Sequence, residues 1–206
     1  MADTTLALFA QSLLIGFSIA APVGPIGLLT IQRTLQQGTG AGLATGLGAA
    51  VADAVYGAVG AFGVTALIEA MTAARLPLAA GGGAFLLWLA FKTWRSPVAE
   101  AAAQAPGGSG LLRCFAGTFV LTLSNPATIL SFVAVFGALA GRMATASPWT
   151  MIAGVLLGSA LWWLLLSVAV GGLRERFDVR WRRRVNLASA LLLAGFALWQ
   201  LVGLLR

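Results

Sequence analysis

Asp53 is a carboxylate set in a run of small and apolar residues, Gly42-Leu43-Ala44-Thr45-Gly46-Leu47-Gly48-Ala49-Ala50-Val51-Ala52-Asp53-Ala54-Val55-Tyr56-Gly57, which continues apolar to Ile68. At about 1.5 Å of rise per residue, such a run crosses a hydrocarbon core of about 30 Å with Asp53 near its middle. An ionisable group at that depth costs roughly 2.5–3.5 kcal/mol even on a lenient scale, and it faces a partner or a water-filled cavity. The chemistry open to it is proton exchange, or pairing with a cationic group in transit. Two further segments, Ala21-Pro22-Val23-Gly24-Pro25 and Ser124-Asn125-Pro126, interrupt other apolar stretches well inside them. Proline lacks an N–H and fits the first position of a helix, while Gly24 and Asn125 stand where an N-cap belongs. Each interruption therefore reads as two half-helices, the second starting at mid-membrane. A helix N-terminus exposes unpaired N–H groups and partial positive charge, so it can hold an anion without a basic side chain.

Together these residues make a site for a zwitterion. Half-helices starting near Pro25 and Pro126 can receive a carboxylate, and Asp53 can take an ammonium group or a proton. A small molecule carrying both groups is an amino acid. The candidate binding residues are Asp53, Pro22, Gly24, Pro25, Asn125 and Pro126, with Asp53 also the candidate for proton coupling. Tyr56 lies one turn after Asp53 and can hydrogen-bond to it or to substrate, although Tyr also serves as ordinary packing. The alternative for the prolines is a kink that serves packing alone. For Asp53 it is an interhelical hydrogen bond that only fixes the bundle, a task Asn or Ser performs at lower desolvation cost.

The elements that must position these groups are membrane helices. Of the 206 residues, 59% are hydrophobic and 9% charged, and the mean hydropathy is +0.92, whereas a soluble domain carries about 25% charged residues. Six spans are expected, roughly at 6–31, 41–68, 76–94, 112–140, 149–170 and 185–205, giving an all-α polytopic membrane helix bundle. Three spans per half insert the halves in opposite orientations. The expected architecture is thus two inverted three-helix repeats with helices 1 and 4 broken, the pointer to a secondary transporter's site. Residues 1–95 form the first repeat, 96–110 a linker rich in Ala, Gly and Pro, and 111–206 the second repeat. Asp53 shares a helical stripe with Gly42, Gly46, Ala49, Gly57 and Gly60, which suits close packing inside the bundle. Sliding the halves so that Gly48 meets Gly154 sets Tyr56 opposite Trp162 and Asp53 opposite Ser159. Trp88, Trp94, Trp149, Trp181 and Trp199 read as interfacial anchors or packing.

Charge and composition exclude much else. With both termini on one side, ten of the thirteen basic residues fall on the other side, including Arg33, Lys92, Arg95, Arg113 and the cluster from Arg174 to Arg184. The positive-inside rule makes that side cytoplasmic and puts both termini outside; Arg33 is then most simply a topology charge. The net charge of +7 is accounted for by topology and lipid headgroups rather than by nucleic acid. The chain holds no His and a single Cys, Cys114, which removes Ser-His triads, His-ligated zinc, an intramolecular disulfide and a Cys-pair redox site. Neither an enzyme, a cofactor nor a metal site is expected. The N-terminus lacks the basic stretch of a cleaved signal peptide, so the first span is read as retained.

Ala21-Pro22-Val23-Gly24-Pro25, Gly38, Gly42-Leu43-Ala44, Gly46-Leu47-Gly48-Ala49-Ala50 and Asp53 resemble the first half of the LysE/RhtB family of amino acid exporters, and Leu123-Ser124-Asn125-Pro126 resembles its second signature. The resemblance covers essentially the whole chain. It implies a bacterial inner-membrane exporter of amino acids or small related metabolites, driven by the proton-motive force. Many members follow Asn-Pro with Lys, where this chain has Ala127, so the resemblance does not carry a lysine substrate. The expected mechanism is alternating access, with Asp53 exchanging proton for substrate between two rocking halves. Rival readings are a small-cation exporter or pore, and a non-transporting membrane subunit that needs a partner. Gly-rich surfaces allow a homodimer without requiring one.

Overall fold

A computed structural model describes residues 2–22, 24–62, 73, 75–95, 107–125, 128–129, 131–132, 148–173 and 179–203. These form helices α1 (Ala2–Ala20), α2 (Pro25–Gln37), α3 (Thr39–Ala61), α4 (Arg75–Arg95), α5 (Gly108–Leu123), α6 (Pro148–Leu173) and α7 (Val179–Val202). No strand occurs among the described residues, in line with the all-α expectation.

Both expected interruptions are present as local structure. Thr5–Ala20 and Pro25–Gln37 meet at 78°, a bend that one continuous helix does not make. Gly24 is extended and caps α2, Pro25 occupies its first turn, and Leu28 N–H donates to the Gly24 carbonyl at 3.0 Å. The second break repeats this arrangement. Helix α5 stops at Leu123, and Ile129 N–H then donates to the Asn125 carbonyl at 3.1 Å, as Leu28 N–H does to Gly24. Pro126 lies outside the described residues.

Length and apolarity let α3 and α6 each cross a membrane, and the bent pair α1–α2 passes the same test as one unit. Helices α4 and α7 coincide with the third and sixth expected spans. Helix α5 covers the first part of the fourth, whose residues 133–140 lie outside the described set. Gly108, Ser109 and Gly110, read from sequence as linker, open α5, because Gly107 is extended and its carbonyl accepts from Gly110 and Leu111 N–H. Apolar side chains such as Leu157, Leu161, Leu164, Leu165 and Val168 stay exposed along α6, as a lipid-facing surface requires.

Packing follows small residues. Helix α1 lies along α6, α3 is held between α5 and α6, and α4 packs on α7. A Cβ at Gly16 would meet the Val155 backbone, one at Gly158 the Leu13 backbone, and one at Gly48 the Phe115 carbonyl. Gly154 and Gly158, four apart on α6, form a small-residue face that brings α1 close. The expected glycine stripe on α3 turns toward α6. There a Cβ at Gly46 would crowd Trp163 and one at Gly57 would touch Val155 at ordinary contact distance, while one at Gly42 would meet Thr34 of α2 first and then Ser167. Helix α2 is fastened to its neighbours by amides. Gln32 Nε2 donates to Thr93 Oγ1 at 2.9 Å and to Asn186 Oδ1 at 3.0 Å, while Asn186 Nδ2 donates to the Thr93 carbonyl at 3.0 Å.

Candidate functional site

Asp53 is 3% exposed and sits on the α3 face that meets α6. The Ser159 hydroxyl donates to its Oδ2 at 2.7 Å, and Trp163 Nε1, one turn further along α6, donates to Ser159 Oγ at 3.1 Å. This chain of donors fixes the carboxylate from one side. Asp53 and Ser159 are the two positions that the sliding alignment of the halves sets opposite each other, and they touch across the α3–α6 contact.

On the other side Asp53 lines a cavity of about 320 Å³. Pro22, Gly24 and Pro25 of the first break and Asn125 of the second line the same cavity. The structure thus brings five of the seven sequence-derived site residues to one space. Pro126 is not described. Tyr56 is placed differently: its hydroxyl donates to the Leu123 carbonyl at 2.7 Å, its ring stacks on Phe132 at 5.4 Å, and it does not line the cavity. The Leu123 carbonyl is one of the orphans that a helix end leaves, so Tyr56 secures the broken end of α5.

Other lining residues were not among the sequence-derived site residues. Thr122, Thr128 and Ser131 flank the second break, Trp163 forms part of the wall, and Phe196 and Trp199 come from α7. Thr122 and Thr128 lie three residues either side of Asn125 and could have been found from that spacing. Trp199 read as an interfacial anchor, and nothing local in the sequence reveals that α7 carries it to the cavity. No basic side chain lines this space among the described residues. What faces the carboxylate is hydroxyls, aromatic rings and the starts of two helical segments. Such a space, apolar with a few convergent polar groups, is the usual make-up of a small-molecule site.

Arg33 is likewise not in a loop. It is half-buried, and its Nη1 donates to Thr45 Oγ1 and the Cys114 carbonyl at 3.0 Å and to Thr118 Oγ1 at 3.1 Å. A topology charge needs none of these contacts.

The family model described as LysE type translocator matches residues 17–203. Among curated proteins, the chemotactic transduction protein ChpE of Pseudomonas aeruginosa is 30% identical, over 97% of this chain and 100% of its own length. The uncharacterized membrane protein YahN of Escherichia coli is 33% identical, over 68% of this chain and 65% of its own length. The arginine exporter protein ArgO of Salmonella schwarzengrund is 27% identical, over 93% of this chain and 89% of its own. No solved structure matches.

Proposed function

The chain belongs to the LysE type translocator family, and on that premise we propose that it exports amino acids or closely related small metabolites by proton antiport across a bacterial inner membrane. One observation carries the reading: Asp53 and both helix breaks wall a single cavity. Helical segments starting at Pro25 and after Asn125 offer partial positive charge to a substrate carboxylate, and Asp53 offers its charge to an ammonium group or a proton. The exporter relatives support the direction of transport.

The architecture in this reading is six spans in two inverted repeats, with both termini periplasmic. The pattern of packing supports it. If α1–α2, α3 and α4 correspond to α5 with its continuation, α6 and α7, the contact of α1 with α6 has its counterpart in that of α5 with α3. The α3–α6 and α4–α7 contacts are their own counterparts, as a two-fold relation demands. Substrate arriving from the cytoplasm displaces the proton from Asp53, and reprotonation from outside resets the carrier. A passive cation pore is a poorer fit, because Asp53 is the only acidic side chain lining the cavity among the described residues.

The test is flux of labelled amino acids from liposomes containing the purified chain, driven by a pH gradient. The expected outcome is gradient-dependent flux that Asp53→Asn lowers at least about a hundredfold with folded protein retained, since the exchanged charge is gone. Equal flux by Asp53→Asn under the same gradient would overturn the antiport reading.

A further inference from the structure

A second cavity, of about 530 Å³, opens between α2, α4 and α5 at the end of the bundle where α2 and α4 finish and α5 begins. Three cations line it, one from each helix: Arg33, Lys92 and Arg113. No acidic side chain lines it among the described residues. Arg33 is the deepest of the three. Among the described residues its Nη1 contacts are to neutral oxygens, which orient the guanidinium without neutralising it. Lys92 sits 5.1 Å from the centroid of the Trp88 ring, and Trp88 also lines the space. Arg113 is exposed and among the described residues reaches the Ser109 carbonyl, at 3.4 Å. Charges that merely set topology have no need to converge on a cavity, and a half-buried guanidinium without a counter-charge is costly to keep. An oxyanion supplied from outside removes that cost, and the guanidinium fork suits a carboxylate.

We propose that this second cavity is a loading site which captures the carboxylate of an amino acid on the cytoplasmic side, before the molecule reaches the Asp53 cavity. The assignment rests on the exporter reading above. Arg33 receives the carboxylate, while Lys92 and Arg113 at the rim draw it in. Gln37 lines the same space, and its amide carbonyl, which among the described residues is contacted by the Cys114 thiol at 3.9 Å, can accept from the ammonium group. The volume is ample for an amino acid.

Cys114 lines this cavity and is the chain's only cysteine, so its rate of modification by a small thiol reagent reports occupancy without any need for transport. The measurement is made on the full chain in phosphatidylcholine vesicles, with propionate, L-leucine and L-leucinamide as probes. Propionate and L-leucine should slow modification, and L-leucinamide, which lacks the carboxylate, should not. The double variant Lys92→Gln/Arg113→Gln changes two exposed side chains and should weaken protection about tenfold, the scale of losing charged contacts at an open site. Asp53→Asn should keep full protection, which separates this site from the other and the failure of one reading from that of the other. Equal protection by L-leucinamide, no protection by either carboxylate, or loss of protection in Asp53→Asn overturns the proposal. So does protection by added phosphatidylglycerol to which carboxylates contribute nothing, since the site then belongs to lipid headgroups.

Discussion

The hydrogen bond from Ser159 to Asp53 separates two roles for the carboxylate, a structural tie or a working group. Interhelical hydrogen bonds inside membranes contribute only about 0.6 kcal/mol on average, so a tie of this kind adds little to the stability of the bundle. A bond to an ionised carboxylate in an active cavity matters more to what the group does, at about 1.5–3 kcal/mol. Ser159→Ala is therefore expected to lower thermal stability by less than about 1 kcal/mol and gradient-driven flux by about tenfold, read by melting in detergent and by the liposome assay. A loss of stability large enough to explain the loss of flux would return Asp53 to a structural tie. Ser167 supplies the contrast on the same helix. Its hydroxyl is buried beside the position of Gly42 and has no hydrogen-bond partner among the described residues. Removing an unsatisfied hydroxyl relieves a desolvation cost, so Ser167→Ala should leave flux unchanged and stability equal or slightly higher.

Helix placement depends on glycines that admit backbone contact. At Gly158 a side chain would be driven into the Leu13 backbone, which cannot swing aside as a side-chain tip can. Gly158→Leu should separate α1 from α6 and destabilise the bundle by about 1–3 kcal/mol or more, measured by thermal unfolding. Gly172, near the end of the same helix, has nothing within 4 Å of an added Cβ, so Gly172→Ala is the silent control. Gly38 acts through its backbone instead. Between α2 and α3 it holds φ 97° and ψ 169°, a region nearly closed to other residues, and Gly38→Ala should cost about 1–3 kcal/mol in the same assay. These elements differ in how far the sequence discloses them. The breaks at Gly24-Pro25 and Asn125 were legible because cap chemistry is local. The face shared by Gly42, Gly46, Ala49 and Asp53 was legible because helical periodicity is local too. The destinations of Arg33, Tyr56 and Trp199 were not, because each depends on which helix comes to lie beside it. An arginine ending an apolar stretch looks the same whether it meets solvent or turns inward to Thr45 and Thr118.

At the scale of the molecule, the two cavities stand back to back along α2. One apolar cluster supplies Ala20, Ile26, Ala49 and Trp163 to the wall of the Asp53 cavity, and Leu29 and Leu89 to the wall of the cationic one. Ile26 and Leu29 are about 4.5 Å apart along the helix axis, so a single buried layer stands between the spaces. A carrier with one such barrier admits solvent to each space from one side of the membrane only. In the proposed orientation the cationic cavity faces the cytoplasm and the Asp53 cavity the periplasm. Membrane-impermeant thiol reagents test this directly. Native Cys114 lines the first space, and Ser131, exposed and lining the second, can be replaced by Ser131→Cys in a Cys114→Ser background. Cys114 should react in inside-out vesicles and not in intact spheroplasts, and the residue introduced at 131 should show the reverse. Reaction of both positions from the same side contradicts a single barrier between the cavities. Reaction of each from the side opposite to that expected keeps the barrier and inverts the topology, which would place the ten basic residues outside and remove the cytoplasm as the source that loads the cationic site.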